Sequence, residues 1–368
     1  MAVADRGVPV SRPTAWRESV GVALAASGLG WLASLAGIAA ARIWPDPGTV
    51  PSPEAWPWGW DGGWYAGLAA EGWSLTPQGD IPQGAAFLPA WPLLLRLGMG
   101  IGLPGDVVGF ALPGLCQLVW LALLHGMVRR QYPFRPALWA TLLAALWPHG
   151  LTGRVAYTEP LFLASGTLVL AWGTRPGNPG AVAVLAAFLS GSVRVAGLAL
   201  AGAGLEARGH RRWLLLAAPA VGLAMVIAWQ AWVLGDPLAF LHAQRHWHNG
   251  QPPGGWGWLG PLSLGLLGPI GHQGVLKAAM AYGTAALVLR HVARHPGVAA
   301  AAAGHLALVL ASGWTESGDR YLYGSPAAWW LLMPILASHP RVSMALGLVS
   351  AVVTALWSRS WTLGLWVF

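Results

Sequence analysis

The chain has 368 residues, 55% of them hydrophobic and 9% charged, with a mean hydropathy of +0.54. With 25 Trp and 50 Gly, it lies outside the composition of an ordinary soluble domain and reads as an all-α, polytopic integral membrane protein. Its net charge of +8 is accounted for by arginines collecting in cytoplasmic loops, so membrane lipids and not nucleic acid are the expected surroundings. One cysteine, Cys116, rules out an intramolecular disulfide and a cysteine metal cluster.

Along the chain, 19–40, 107–128 and 213–234 contain no Asp, Glu, Lys or Arg. Each matches the ~20 residues of helix that cross a hydrocarbon core. Shorter or interrupted candidates lie at 137–152, 158–173, 180–205, 274–289, 296–314, 321–338 and 342–357. Together they predict roughly nine to eleven transmembrane helices in a single membrane-embedded domain over 1–368. The polar N-terminus does not look like a cleaved signal peptide, so 18–42 is expected to stay as the first span. Arg6, Arg12 and Arg17 place it with the N-terminus cytoplasmic, and the acidic stretch that follows lies outside. This long first outer region, 43–105, includes 86–103, which carries two prolines and Arg96 and is expected to lie along the interface. The remaining spans and loops fill 106–368.

Counting onward exposes a conflict between 137 and 212. If 137–152, 158–173 and 180–205 each cross once, the basic loop "EARGHRR" falls outside, against its charge. Arg194, in the middle of 180–205, points to a broken or re-entrant segment, a form tolerated where backbone lines a cavity.

The candidate chemistry gathers in the outer loops. In "WGWDGGWY", Asp61 sits beside glycines that let a ligand approach, with Trp60, Trp64 and Tyr65 offering ring faces and Glu71 following in "AAEGW". Aromatic anchoring at headgroup depth is the bland reading of those tryptophans. Glu159, at the lip of a span, is a ligand group or a partner for Arg154. Arg194 pairs with such an acid or meets an anionic ligand. In "FLHAQRHWHNG", Gln244, Arg245 and His246 suit a phosphate, while His242, His246 and His248 match no specific metal signature, so no metal site is assigned. Arg320 either binds an anion too or pairs locally with Asp319. Walker, nucleophile-elbow and HExxH patterns are missing from the sequence, so an activated donor would have to come from the membrane.

In order, "WGWDGGWYAGLAAEGW", "AAFLPAWPLLLRLG", "AYTEPLFLASGTLVLAW", "SGSVRVAGLAL", "DPLAFLHAQRHW" and "DRYLYGSPAAWWLL" resemble the bacterial relatives of the PIG-V type mannosyltransferases. That group contains GPI mannosyltransferase II and belongs to the GT-C glycosyltransferases. The resemblance covers roughly residues 20–340, and its most specific element is Trp-Asp-x-x-Trp-Tyr followed by a Phe-x-Pro-x-x-Pro stretch. It implies a GT-C type fold in the cell inner membrane. It also implies inverting transfer of mannose from polyprenyl-phosphate-mannose to an acceptor hydroxyl on the non-cytoplasmic face, the acceptor being a glycan, glycolipid or protein. By position, Asp61 matches the general base of that family and Glu159 the acid of its aromatic-Ser/Thr-Glu motif. Arg194 and Gly197 match an Arg-x-x-Gly pattern usually preceded by Thr, where this chain has Val193. Transfer of another sugar, or a multi-span lipid or solute transporter, remains the alternative; the chain shows no convincing internal repeat of the transporter kind.

Overall fold

The computed structural model describes residues 12–52, 56–173, 180–209, 211–246, 272–311, 317–365 and 367. Lipid offers no partner for a bare N–H or C=O, so long apolar segments close their hydrogen bonds internally as helices. The described elements are helical throughout. They are α1 (Arg12–Ile43), α2 (Asp61–Glu71), α3 (Ala90–Gly100), α4 (Gly105–Val128), α5 (Phe134–Leu146), α6 (Glu159–Gly173), α7 (Ala181–Val193) and α8 (Arg211–Leu234). After these come α9 (Ala239–His242), α10 (His272–His291), α11 (Pro296–Ala311), α12 (Gly318–Tyr323), α13 (Pro326–Ser338) and α14 (Pro340–Thr362). Short 3₁₀ helices cover Gln83–Ala86, Pro148–Arg154, Val195–Leu205 and Ala243–His246.

Among the described residues, four helices (the 15–43 part of α1, α4, the 212–234 part of α8, and α14) are long and apolar enough to cross a membrane. The bent pair Pro148–Arg154 and Glu159–Gly173, turned by 100°, is a broken span or a re-entrant loop and counts as a fifth if taken as one span. The protein is therefore a helical, membrane-embedded one. Several of the expected crossings are shorter than predicted. The segment 137–152 is divided where Trp147, extended at φ −52 and ψ 138, precedes Pro148, because the residue before a proline is pushed out of the helical region. Likewise 321–338 is interrupted at Gly324–Ser325, and Ser325 accepts the Ala328 N–H to start α13 afresh. The expected interfacial helix 86–103 is an 11-residue helix, α3, starting only after Pro89. At ~1.5 Å per residue it is too short to cross.

Side-chain pairs fix the direction of each element. Arg129, at the end of α4, bonds Glu18 near the start of α1 at 2.7 Å, so these two run antiparallel. Arg359, near the end of α14, bonds Asp46 just beyond α1 at 2.6 Å, so α1 and α14 run parallel. They touch backbone to backbone: a Cβ on Gly37 would lie 2.0 Å from the Ala355 carbonyl oxygen. The expected break at Arg194 is present. There the backbone is extended (φ −148, ψ 142), and the 3₁₀ helix 195–205 doubles back along α7. Gly197 makes that return possible, since a Cβ there would sit 2.2 Å from the Ser190 carbonyl oxygen. Because 180–205 goes and returns, Glu206 reaches the start of α11 and accepts the Gly297 and Val298 N–H groups. The conflict over "EARGHRR" disappears. One end of the bundle carries Arg129, Arg130, Arg208, Arg290, Arg294 and Arg341, and the other carries the chain between α1 and α4, with Asp46, Asp61 and Asp106.

Candidate active site

At that second end, the chain between α1 and α2 turns sharply. Trp60 holds φ 53 and ψ −120, an unfavourable conformation for a residue with a Cβ, immediately before Asp61 begins α2. Gly62 follows because the turn leaves no room: a Cβ there would lie 2.8 Å from the Pro57 carbonyl oxygen. The Asp61 N–H donates to the Tyr157 hydroxyl at 3.3 Å, and its carboxylate sits at a helix N-terminus, where negative charge is favoured.

Three other charged side chains meet it, each from a separate break in the helices. Glu159 opens α6, Arg194 occupies the extended residue after α7, and Arg320 lies in the single-turn-and-a-half helix α12. Arg320 Nη1 contacts Asp61 Oδ2 at 2.7 Å and its Nε contacts Glu159 Oε1 at 3.3 Å. Arg194 Nη1 reaches the same Glu159 oxygen at 2.7 Å and donates to Thr158 Oγ1 at 3.1 Å. The side chains of Glu159 and Arg320 are only 2% and 4% exposed, whereas Asp61 and Arg194, at 18% and 17%, face a cavity. Tyr321 lies beneath both guanidinium groups, 5.0 Å from that of Arg194 and 5.1 Å from that of Arg320. Burial works to lower the Arg320 pKa, but Asp61 and Glu159 outweigh it and hold the group charged well above the usual arginine value.

The cavity has a volume of about 630 Å³. Trp60, Asp61, Trp64, Tyr65, Glu159, Arg194, Gln244, His246 and Arg320 all line it. Beside these polar and aromatic groups, the apolar Phe87, Leu88, Val193 and Val195 also line it. Trp64 stacks on Phe87 with centroids 6.1 Å apart, and Tyr65 meets the same ring edge-on at 5.0 Å. Glu71 ends α2, exposed and not among the residues lining the cavity, because ten residues of helix carry it ~15 Å from Asp61. The Arg245 side chain and His248 lie outside the described residues. Among the described residues no three His, Cys, Asp or Glu side chains converge to hold a metal, and His242 instead pairs with Asp236.

Of the alternatives left open for Glu159 and Arg320, the local side-chain pairings do not form. Arg154 turns away from Glu159 into the bundle, where it donates to Ser34 Oγ at 3.4 Å and the Ala145 carbonyl at 3.3 Å. Asp319 leaves the Arg320 guanidinium to Asp61 and Glu159; it accepts the Arg320 backbone N–H at 3.0 Å and faces His149 Nε2 at 3.2 Å. Burial pushes the Asp319 carboxyl up, but His149 outweighs it through hydrogen bonding and charge, so the net pKa lies below the usual carboxylate value. Sequence reasoning missed Thr158 and Tyr321, both at the cavity. It also missed Gln230, which is buried in α8, donates to the Ala85 carbonyl at 3.0 Å and accepts the Phe240 N–H at 3.0 Å. That one amide ties together the two loops that supply Phe87 and His246, and a Gln within an apolar span was the available signal. Comparison with family models, with curated proteins and with solved structures finds nothing that matches this chain.

Proposed function

We propose that this protein is a membrane glycosyltransferase of the GT-C type, moving mannose from polyprenyl-phosphate-mannose to an acceptor hydroxyl on the non-cytoplasmic face of the cell inner membrane. The observation that carries the reading is the meeting of Asp61, Glu159, Arg194 and Arg320, from four separate elements, in one cavity that Phe87, Leu88, Val193 and Val195 also line. A lipid-borne phosphate ester asks for that combination: cations for the phosphate, an apolar surface for its chain, and a carboxylate for the incoming hydroxyl. The basic loops gather at the opposite end, which the positive-inside rule assigns to the cytoplasm.

In the proposed reaction Asp61 is the general base. The acceptor O–H bond breaks and its proton passes to Asp61. A new bond forms from the acceptor oxygen to the anomeric carbon, while the bond from that carbon to the phosphate oxygen breaks and leaves its electron pair on the phosphate. Single displacement inverts the anomeric configuration. Arg194 and Arg320 stabilise the departing phosphate, Gln244 and His246 orient it, and Trp60, Trp64 and Tyr65 provide faces for the sugar. General-base assistance is worth ~10² to 10⁴ in rate.

The test is transfer of radiolabel from polyprenyl-phosphate-mannose to a lipid extract of the host, by wild type and Asp61→Asn side by side, with and without chelator. Label entering a new product with wild type alone supports the assignment. No transfer from mannose, glucose or arabinose donors would move the weight to a lipid or solute transporter.

A further inference from the structure

The four site charges cancel: Asp61 and Glu159 against Arg194 and Arg320. They are not held equally. Glu159 Oε1 lies between two guanidinium groups, at 2.7 Å and 3.3 Å, and its side chain is 2% exposed. Among the described residues Asp61 forms one ion pair, from Oδ2 to Arg320, and it is 18% exposed on the cavity side. Each Arg320 nitrogen faces a partner: Nη1 and Nε stand at ion-pair distance from Asp61 and Glu159, and Nη2 donates to the Tyr321 hydroxyl at 3.4 Å. An anion entering this cavity brings no cation with it; Arg194, 17% exposed, is one cation it can meet there, and the second, Arg320, already faces Asp61. The bond that can yield is the one to Asp61, since Glu159 is pinned from both sides. While that bond lasts, a lone pair of Asp61 is occupied by a guanidinium and closed to an acceptor hydroxyl.

We propose that Arg320 is shared in time between Asp61 and the donor phosphate, so that phosphate binding draws the guanidinium off Asp61 and frees the carboxylate to accept the acceptor's proton. This rests on the lipid-phosphate reading given above. The exchange keeps charge in balance through the reaction. As Asp61 takes the proton and becomes neutral, its pull on Arg320 ends, at the moment a second negative charge develops on the leaving phosphate. Asp61 Oδ2, the oxygen paired with Arg320, is withheld until a donor is present, so the empty site presents Asp61 in an ion pair.

The test is calorimetric binding of farnesyl phosphate, a short polyprenyl phosphate, to the full chain in detergent. Asp61→Asn is expected to bind it roughly 3- to 30-fold more tightly than wild type, because its competitor for Arg320 is gone. In an Arg320→Gln background the same substitution is expected to give no gain. Asp106→Asn removes an acid at the same end that bonds the Trp58 indole and not Arg320, and it is expected to leave affinity unchanged. Equal or weaker binding by Asp61→Asn overturns the proposal. So does a gain that persists without Arg320, or one that Asp106→Asn reproduces, since either would reflect general repulsion. If Arg320→Gln does not fold, the Asp106 comparison decides. Absence of binding by both wild type and Asp61→Asn would instead overturn the lipid-phosphate reading itself, a separate outcome.

Discussion

Among the described residues two arginines, Arg154 and Arg320, are buried in this bundle, and they live differently. Arg154 is fully buried and makes only neutral contacts, to Ser34 and to the Ala145 carbonyl, with no carboxylate within ion-pair distance among the described residues. It lies against Gly30 of α1, where a Cβ would come within 1.7 Å of its Nη2. Arg320 is almost as deeply buried, yet it stands between two carboxylates and borders a cavity. Burial of a charge thus does not mark function by itself. The first arginine joins α1 to the break after α5, and the second sits where a ligand can compete for it.

The largest expected effect that would sharpen this contrast is on catalysis. Asp61→Asn is expected to lower mannosyl transfer by ~10² to 10⁴ while the melting midpoint in detergent stays near that of wild type. Glu159→Gln comes next: it leaves both arginines without their common partner, which costs ~3–5 kcal/mol when a buried pair is broken, so activity and thermal stability should fall together. For the other arginine, Gly30→Leu is expected to destabilise the fold by ~1–3 kcal/mol through overpacking and so lower the melting midpoint, with turnover per folded molecule unchanged. A loss of specific activity there would erase the distinction between the two sites.

A smaller effect concerns pH. The Asp319 carboxyl has its folded pKa depressed, net, by His149. It therefore adds stability that is fully present above its ordinary pKa of about 4 and is lost as pH falls through the lowered value. Melting scans from pH 6 down to 3 should show a decline in wild type that is shallower in Asp319→Asn. Smallest of all is Asp46→Asn. Its pair with Arg359 is at the surface, and although that hydrogen bond holds the Asp46 pKa low, solvent screens such pairs, so neither activity nor melting should change measurably.

The parts of the fold legible in the sequence are those a membrane imposes continuously. The uncharged runs 19–40, 107–128 and 213–234 lie within α1, α4 and α8, because lipid leaves no choice but an apolar, self-bonded helix. The break at Arg194 was legible for the converse reason: a charge in mid-segment has to face something other than lipid. What stayed hidden depends on partners distant in sequence. Asp319 adjoins Arg320 in the chain, but the guanidinium reaches past it to Asp61, and Arg154 points away from nearby Glu159. Which acid meets which arginine is set by how the breaks at Trp60, Thr158, Arg194 and Ser317 are brought together, and no local pattern records that.

The most direct measurement is a structure of the wild-type protein with farnesyl phosphate bound. The account predicts phosphate oxygens within ~3 Å of the Arg194 and Arg320 nitrogens, the prenyl chain along Phe87, Leu88 and Val195, and Asp61 detached from Arg320. A phosphate seated at the arginine-rich opposite end, or one in the cavity with the Asp61–Arg320 contact intact and no contact to either guanidinium, would contradict it.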